Sequence, residues 1–267
     1  MAILTLARMF GAGGAEIGQD VSTSLGYEYV DKQTILSEVK AIGQKWEQWG
    51  KNLDEHGPSI WEKYDWSFQG FAAIVQSIFL HHAFKGKAVL VGRGGNFLLE
   101  DIPFVYKIRV FASEDSRIER IITRESVDRE TARWLVEKTD QERVGFIQSL
   151  YGKATEDPQA YDDVFDTGVQ PLKEIAAIVK EKLLARDKLE TQEVLKQLEM
   201  RALAARVKVG LVTDPTLYVP TLDVVFDGKE LVLRGIVRSR EQHCRLEEAA
   251  IRLAGGVPLN CQLHYRG

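Results

Sequence analysis

The chain has 267 residues, of which 45% are hydrophobic and 28% are charged, and its formal net charge at pH 7 is −4. This composition is ordinary for a soluble globular protein and allows one or two domains. The weakly acidic balance argues against a general nucleic-acid binder. No apolar run approaches the roughly 20 residues of a membrane span, and no signal peptide is recognised. We therefore expect a cytoplasmic protein without a transmembrane segment.

The N-terminal part of the chain alternates strand-like and helix-like segments. Short apolar runs predict strands at residues 3–6, 27–30, 88–91 and 106–111 and within 161–167. Helical patterns cover residues 16–25, 32–43, 69–84, 113–124, 126–150 and 171–186. Such alternation indicates an α/β domain with a mostly parallel sheet.

An aromatic stretch at residues 46–68, interrupted by glycine and proline, is predicted to be irregular. This Trp-rich segment is a candidate substrate cover or dimer surface, because aromatic side chains are enriched at interfaces. Buried core is the alternative interpretation.

The pattern changes after about Lys188. A helix at residues 190–211 precedes two strand-like runs joined by Asp227-Gly228, which is a strong hairpin signal. A helix at 240–253 and a strand at 260–265 follow. The sequence therefore predicts a small α-β-β-α-β domain. We place the two domains at residues 1–188 and 195–267.

The stretch LARMFGAGGAEIGQD, Leu6–Asp20, has glycines between a strand and a helix. Glycines there let backbone N–H groups approach a phosphate at the helix N-terminus. The lysine and Ser/Thr of a Walker A motif are replaced by Gly14 and Ala15. A dinucleotide fingerprint is a second interpretation, with Glu16 in place of its last glycine and Asp31 about 20 residues on. A tight turn without a ligand is the third.

A second glycine motif, VLVGRGGNFLL (Val89–Leu99), follows the third predicted strand. With the first loop it resembles the cytidylate-kinase-like family of the nucleoside monophosphate kinase group, over about residues 1–185. The matching segments are Arg8, Phe10–Gly14, Glu16-Ile17, Tyr29–Asp31, Gly92–Gly94, Asp115–Glu125, Asp140–Gly152 and Asp157–Gly168. The resemblance implies a P-loop kinase-like fold of five parallel strands flanked by helices. It also implies transfer of a phosphoryl group from ATP, with Mg²⁺, to CMP or a related nucleoside monophosphate.

The resemblance also implies functional residues, because phosphoryl transfer needs arginines that converge on phosphates. Binding of ATP is expected at Gly11, Ala12, Gly13, Gly14, Ala15 and Glu16. The acceptor nucleotide is expected at Asp31 and Arg93, and catalytic arginines at Arg8, Arg124 and Arg143. The sequence assigns no metal ligand.

Several of these assignments have a structural alternative. Arg93 is otherwise a surface cation at a strand end, and Asp31 is otherwise the cap of the following helix. We expect Arg117, Arg120 and Arg133 to pair with neighbouring acidic residues rather than with phosphate.

The loop departs from the family where Ala15 stands, because the family often has an arginine there. The loss of that cation favours a second hypothesis, in which an inactive α/β domain senses a nucleotide and the C-terminal domain relays its occupancy to a partner. The expected ligand is ATP, a nucleoside monophosphate or both, and a homodimer is a further candidate assembly.

Residues 195–267 resemble the BON domain family through LDVVFDGKELVLRGIVRSREQ and AAIRLAGGVPLNCQLHYR. The resemblance implies a binding module for a protein or a small ligand. His243 and His264 are isolated in the sequence and are interpreted as non-functional. The two cysteines, Cys244 and Cys261, form no CxxC pair. They indicate neither a zinc site nor a disulfide framework, and we interpret them as small apolar residues.

Overall fold

The computed structural model describes residues 1–52 and 65–266, and the side chains of residues 50–52 are not described. The chain divides into two compact units. Of the described residues, the first unit contains Met1–Ile35, residues 51–52 and Lys85–Glu190. The second contains Leu36–Gly50 and residues 65–84 and 191–266. The two domains proposed from the sequence, 1–188 and 195–267, stay a prediction.

The helices and strands of the described residues follow one another in chain order. They are β1 Ile3–Arg8, α1 Gly14–Leu25, β2 Glu28–Val30, α2 Lys32–Ile42, α3 Gln44–Asn52, α4 Trp66–Lys85, β3 Ala88–Val91, α5 Gly95–Leu98, β4 Val105–Phe111, α6 Glu114–Glu125, α7 Arg129–Tyr151, β5 Asp163–Asp166, α8 Leu172–Arg186, α9 Gln192–Val212, β6 Asp223–Phe226, β7 Leu231–Val237, α10 Arg240–Ala254 and β8 Leu259–Tyr265. In the described residues, no helix is both long enough and apolar enough to cross a bilayer.

The first unit is built on a five-stranded sheet in the order β2-β3-β1-β4-β5. Every neighbouring pair in this sheet is parallel. Leu4 at the centre faces Val89 on one side and Tyr106 on the other. Parallel strands end at the same edge of a sheet, so the segments after β1 and β3 lie together, and the Gly92 amide donates to the Leu6 carbonyl at 2.8 Å. The predicted parallel sheet flanked by helices is confirmed.

The helices of the first unit bury one face against this sheet. Ile17 and Val21 of α1 and Val179 of α8 join the apolar side chains of the strands in one core. Side chains cap two of the helices, since Ser113 accepts the Ser116 amide at the start of α6 and Asp128 accepts the Thr131 amide at the start of α7. These caps satisfy amides that have no acceptor within the helix.

The second unit contains a three-stranded sheet in the order β6-β7-β8. The β6–β7 pair is antiparallel and the β7–β8 pair is parallel. The predicted hairpin turn has Gly228 at φ 99°, and the Asp227 carboxylate accepts the amides of Lys229 and Glu230. Helices α9 and α10 pack their apolar faces on this sheet. The predicted small α-β-β-α-β region is confirmed.

The prediction of irregular structure at residues 46–68 is wrong for the described residues at both ends, because Gln44–Asn52 form α3 and Trp66–Lys85 form α4. The sequence of α3 has helix-forming residues around Trp46 and Trp49, which share a helix face. Trp46 is 1% exposed, and a Cβ on Gly70 would lie 2.5 Å from its ring. Trp66 packs edge-on against Trp46. Trp46 is therefore a core residue, and residues 53–64 lie outside the described residues.

Candidate functional site

A cavity of about 370 Å³ lies in the first unit, at the edge where β1 and β3 end. Its walls come from the segments that follow these two strands and from the second half of α7. The side chains that line it include Arg8, Met9, Phe10, Lys32, Arg93, Asn96, Phe97, Arg109, Asp140, Glu142, Arg143, Phe146, Ile147, Glu156 and Tyr161. In open parallel sheets, the carboxyl ends of the strands are the usual place for a ligand.

Three arginines that the sequence singles out meet in this cavity. Arg8 ends β1, Arg93 follows β3, and Arg143 lies on α7. The Arg143 guanidinium donates to the Arg8 carbonyl at 3.0 Å, and the Arg93 guanidinium lies 4.6 Å from the centre of the Phe146 ring. Residues 143 and 146 share a face of α7, so one helix positions both a cation and the ring on which the second cation stacks.

The backbone at Arg93 is in an unusual conformation. Gly92, Arg93 and Gly94 have φ values of 76°, 59° and 79°, and arginine is disfavoured at such a φ. Gly94 is also required for space, because a Cβ there would lie 2.3 Å from the Tyr151 ring. The Tyr151 hydroxyl donates to the Arg93 carbonyl at 3.1 Å. The surroundings therefore hold Arg93 in a costly conformation that directs its guanidinium to the cavity wall, and such strain is found most often at functional sites.

Burial lowers the pKa of all three guanidinium groups, and repulsion by neighbouring arginines adds to this effect for Arg8 and Arg143. Burial lowers the pKa of Arg8 to about 10, and Arg93 adds to that effect by repulsion. Burial also lowers the pKa of Arg93 to about 10, against the attraction of Glu142. Burial and then repulsion by Arg8 hold the pKa of Arg143 well below its usual value. Within the described residues, no side chain forms a salt bridge with the Arg8 guanidinium. An anion in the cavity would relieve this accumulated positive charge.

The charged side chains that the described residues contribute to the cavity wall are mostly basic. Among these residues, five basic side chains line the cavity together with three acidic ones. Asp140 is already engaged with Arg117 and with the backbone of Phe10. The cavity is therefore electropositive and suits an anionic ligand.

The other part of the cavity wall is aromatic and apolar. Phe97, Phe146, Ile147 and Tyr161 lie beside the arginines. Phe97 and Tyr151 pack with their ring centres 6.1 Å apart. A site with both a cationic and an aromatic wall is suited to a ligand that joins an anionic group to a flat ring.

The predicted ATP contacts, Gly11 to Glu16, lie in the turn between β1 and α1 and at the start of α1, and they are not among the residues that line this cavity. Gly13 caps α1 in the left-handed conformation, with φ 79°. Among the described residues, the amides of Gly14, Ala15 and Glu16 donate to no hydrogen bond, as expected for the first turn of a helix. Free amides at a helix N-terminus fit a phosphate group, although the first-turn carboxylate of Glu16 opposes it.

The glycines of this loop also have a packing role. A Cβ on Gly13 would lie 2.7 Å from Leu172 Cδ2, and one on Gly14 would lie 2.7 Å from Arg8 Cβ. The fit to a phosphate therefore rests on the free amides, because close packing alone accounts for these two glycines.

A buried ion pair fixes the start of the loop. Asp140 on α7 accepts the Phe10 amide at 2.7 Å and a guanidinium N–H of Arg117 at 2.5 Å. Arg117, which is only 5% exposed, also donates to the carbonyls of Phe10 and Ala112. The prediction that Arg117 pairs with an acidic residue is confirmed, but the partner comes from another helix and not from its own.

Replacing Asp140 with asparagine should destabilise the first unit, because the buried Arg117 guanidinium loses its counter-charge. We expect the free energy of unfolding to fall by about 3 kcal/mol, the scale for breaking a buried ion pair. The matched control is Asp115→Asn. It removes the ion pair between Asp115 and Arg129, in which the Asp115 side chain is 80% exposed. That change should cost less than about 1 kcal/mol. Urea denaturation of both variants checks this, and equal losses would show that Asp140 has no special role.

Two further residues with a predicted functional role, Arg124 and Asp31, are not among the described residues that line the cavity. Arg124 lies outside the cavity wall, pairs with Glu125 at 2.8 Å and stacks near the Phe10 ring. Asp31 accepts the amides of Gln33 and Thr34 and so caps α2. The roles of Arg124 in catalysis and of Asp31 in substrate binding stay predictions.

The two remaining arginines with an expected structural role differ in their contacts. Arg120 donates to the Thr167 hydroxyl and carbonyl, at 2.7 and 2.6 Å, so it is structural but has no acidic partner among the described contacts. Arg133 lies 3.6 Å from Glu114, in agreement with the expected pairing.

Several residues of the cavity were missed by sequence reasoning. Lys32, Asn96, Phe97, Arg109, Phe146 and Tyr161 all lie on its wall. A signal existed for three of them, because Asn96 and Phe97 follow Gly94 in the second glycine motif and Phe146 lies one helical turn after Arg143. Arg109 and Tyr161 had no local signal, since only the sheet brings them to the site.

The fold and the loop between β1 and α1 define a nucleotide-binding fold of the kinase type. Residues 3–169, more than half of the chain, match the Cytidylate kinase-like family, and the protein belongs to that family. A cytidylate kinase from Thermoplasma volcanium is 23% identical over 198 residues, which cover 72% of this chain and 98% of the relative.

A solved structure shares the fold. A crystal structure of an uncharacterised protein from Eubacterium ventriosum superposes with a TM-score of 0.53 at 19% identity, over 69% of this chain and 99% of the other. A shikimate kinase from Acinetobacter baumannii in complex with shikimate gives a TM-score of 0.41 at 17% identity, over 71% and 96% of the two chains.

Proposed function

We propose that the cavity binds a nucleoside monophosphate and that the protein transfers a phosphoryl group to it from ATP, with CMP as the first candidate acceptor. The observation behind the proposal is the meeting of Arg8, Arg93 and Arg143 at one cavity, where burial lowers the pKa of each guanidinium group. A phosphate monoester would bring negative charge to these three cations. The match to the Cytidylate kinase-like family supports the same reaction class.

The proposed roles of the three arginines follow from their positions. Arg93 and Arg143 are placed to contact the acceptor phosphate, since a guanidinium makes paired hydrogen bonds to phosphate oxygens. Arg8 lies between the two glycine motifs, against Gly14 on one side and Gly92 on the other. It is the cation best placed to neutralise charge between donor and acceptor phosphates. Charge neutralisation and alignment are the main protein contributions to phosphoryl transfer.

The base of the acceptor would lie on the aromatic wall. Phe97 and Tyr161 are the proposed contacts for its flat ring, and Asn96, which is 4% exposed, is the nearest amide side chain for its polar edge. Such a wall excludes water from the reacting groups and strengthens the attraction between the arginines and phosphate.

The donor nucleotide would be held by the turn between β1 and α1. Its phosphates fit the free amides of Gly14, Ala15 and Glu16, with Gly11, Ala12 and Gly13 shaping the turn. ATP with Mg²⁺ supplies the phosphoryl group when bound. The chain's own contribution is the amide donors and the Arg8 guanidinium, which would take the place of the Walker A lysine.

A coupled assay with ATP, Mg²⁺ and each nucleoside monophosphate tests the reaction, with calorimetry on the same preparations. We expect turnover with at least one monophosphate and saturable binding of that monophosphate. Binding without turnover above background would contradict the kinase proposal and favour the nucleotide sensor. Absence of any nucleotide binding would overturn both.

For the second unit we propose an interaction module of the BON-like type, as the sequence resemblance implies. The arrangement of α9, the β6–β7 hairpin, α10 and β8 is compatible with this proposal. The partner would be a protein or a small ligand.

A further inference from the structure

Three potential metal-ligating side chains converge in the second unit, in a region where no site was predicted from the sequence. They are His243 and Glu247 of α10 and Cys261 of β8. One ligand atom from each lies within 4.8 Å of the other two. The His243 Nε2 atom is 3.8 Å from the Glu247 carboxylate and 3.8 Å from the Cys261 sulfur.

Regular structure places each of these side chains. Residues 243 and 247 are one turn apart on α10 and share a face. Cys261 lies in β8, whose register against β7 is fixed by the pairing of Leu233 with Cys261. The His243 ring stacks on Tyr265, with ring centres 5.6 Å apart and an angle of 18° between the planes. The stacking restricts the plane of the imidazole, and its Nε2 atom faces the other two ligands.

We propose that His243, Glu247 and Cys261 form a binding site for Zn²⁺ or a closely similar divalent cation. Tetrahedral zinc with ordinary bond lengths separates its nitrogen and sulfur ligands by about 3.6 Å and its nitrogen and oxygen ligands by about 3.3 Å. The two observed distances from His243 Nε2 are both 3.8 Å, longer than these values by up to about half an ångström. The third separation, between the Glu247 carboxylate and the Cys261 sulfur, is within 4.8 Å, so the ligands would close slightly on a bound cation. The Glu247 side chain is 41% exposed and is free to make the larger adjustment.

The ligand chemistry suits zinc better than the other common cations. Thiolate, imidazole and carboxylate are the three ligand types that zinc takes in proteins, whereas Mg²⁺ and Ca²⁺ prefer oxygen alone. A thiolate and a carboxylate together balance the two charges of the cation. Three protein ligands leave a fourth position for water or for an added ligand, which is the arrangement of an open zinc site.

A simple histidine–carboxylate pair accounts less well for the geometry. The 3.8 Å separation of His243 Nε2 and the Glu247 carboxylate is longer than a hydrogen bond. The Cys261 sulfur also faces the same nitrogen. A cation between the three atoms explains why all three point to one place.

Titration of the full chain with Co²⁺, a spectroscopic substitute for Zn²⁺, tests the proposal. The expected result is one equivalent of Co²⁺ with a thiolate-to-cobalt charge-transfer band that Zn²⁺ displaces. The chain has two cysteines, so a serine variant of each one shows which thiolate gives rise to the band. Cys261→Ser should abolish it, and Cys244→Ser, which changes the exposed neighbour of His243, should leave it intact. No band, or a band that survives in Cys261→Ser, would overturn the proposal.

A second measurement uses the unaltered protein and so does not depend on a variant folding. Alkylation by iodoacetamide is followed at each cysteine by peptide mass analysis, with and without one equivalent of Zn²⁺. Zinc should slow the reaction of Cys261 at least tenfold, because a coordinated thiolate is a poor nucleophile, and should leave that of Cys244 unchanged. Equal rates at Cys261 with and without zinc would contradict the site.

Discussion

Replacing Arg93 with glycine is expected to weaken binding of the acceptor monophosphate about 10–100-fold, the range for losing hydrogen bonds to a charged group. The fold should survive, because Arg93 has φ 59°, and glycine adopts this conformation without strain. The change also removes a cation that depresses the pKa of Arg8. We therefore expect the folded structure to be retained while affinity falls.

The nucleoside without its phosphate is the control for this prediction. Cytidine should bind the wild type and Arg93→Gly with equal affinity, because the proposed contact is with phosphate and not with the base. Calorimetry with CMP and cytidine on both proteins measures this directly. A fall in cytidine affinity as large as that for CMP, or unchanged CMP affinity, would remove Arg93 from the proposed acceptor site.

Replacing Gly92 with alanine should displace the Arg8 guanidinium. An added Cβ would lie 1.7 Å from Arg8 Nη1, and the flexible side chain of Arg8 is the group that must move. We expect monophosphate affinity and any kinase turnover to fall at least tenfold, because Arg8 leaves the position between the two glycine motifs. The backbone strain of alanine at φ 76° adds a stability cost of about 1 kcal/mol.

The variant Gly26→Ala separates the effect of backbone strain from the effect of displacing Arg8. Gly26 has φ 67°, close to that of Gly92, but a Cβ there meets nothing within 4 Å. Both variants should therefore lose about the same stability from backbone strain. Only Gly92→Ala should lose affinity for the monophosphate. Equal affinities of the two variants would show that the position of Arg8 does not matter for binding.

Much of the fold was accessible from the sequence because its signals are local. Continuous apolar runs marked the buried parallel strands, and the run at Ala88–Val91 matches β3 residue for residue. The Asp-Gly pair located the turn of the second unit's hairpin. Residues 46–49 and 66–68 were mistaken for irregular structure because the glycine and proline between them outweighed the helical spacing of Trp46 and Trp49.

The candidate site was only partly accessible, for a physical reason. Arg8 and Arg93 could be predicted because each ends a strand next to a glycine motif, and parallel strands end at one edge. The pairing of Arg117 with Asp140 depends on how α6 and α7 pack, and no spacing in the sequence encodes that contact. His243 and Cys261 likewise looked isolated in the sequence, because they are 18 positions apart. Only the packing of α10 on β8 brings them together.

The glycines in the turn between β1 and α1 do not by themselves identify a phosphate-binding loop. Its glycines were taken as evidence for phosphate contact, but Gly13 and Gly14 are also required by Leu172 and Arg8. Close packing and ligand approach both demand glycine, so the residue alone does not separate them. The arrangement of cations around the cavity is the more informative feature.

A crystal structure of the protein with a nucleoside monophosphate tests the central claim most directly. We predict that the phosphate lies in the cavity with oxygens within hydrogen-bond distance of the Arg93 and Arg143 guanidinium groups, and that the base lies on the aromatic wall beside Phe97. A nucleotide bound elsewhere with the arginines unoccupied, or an empty cavity at a concentration that saturates binding in solution, would contradict the account.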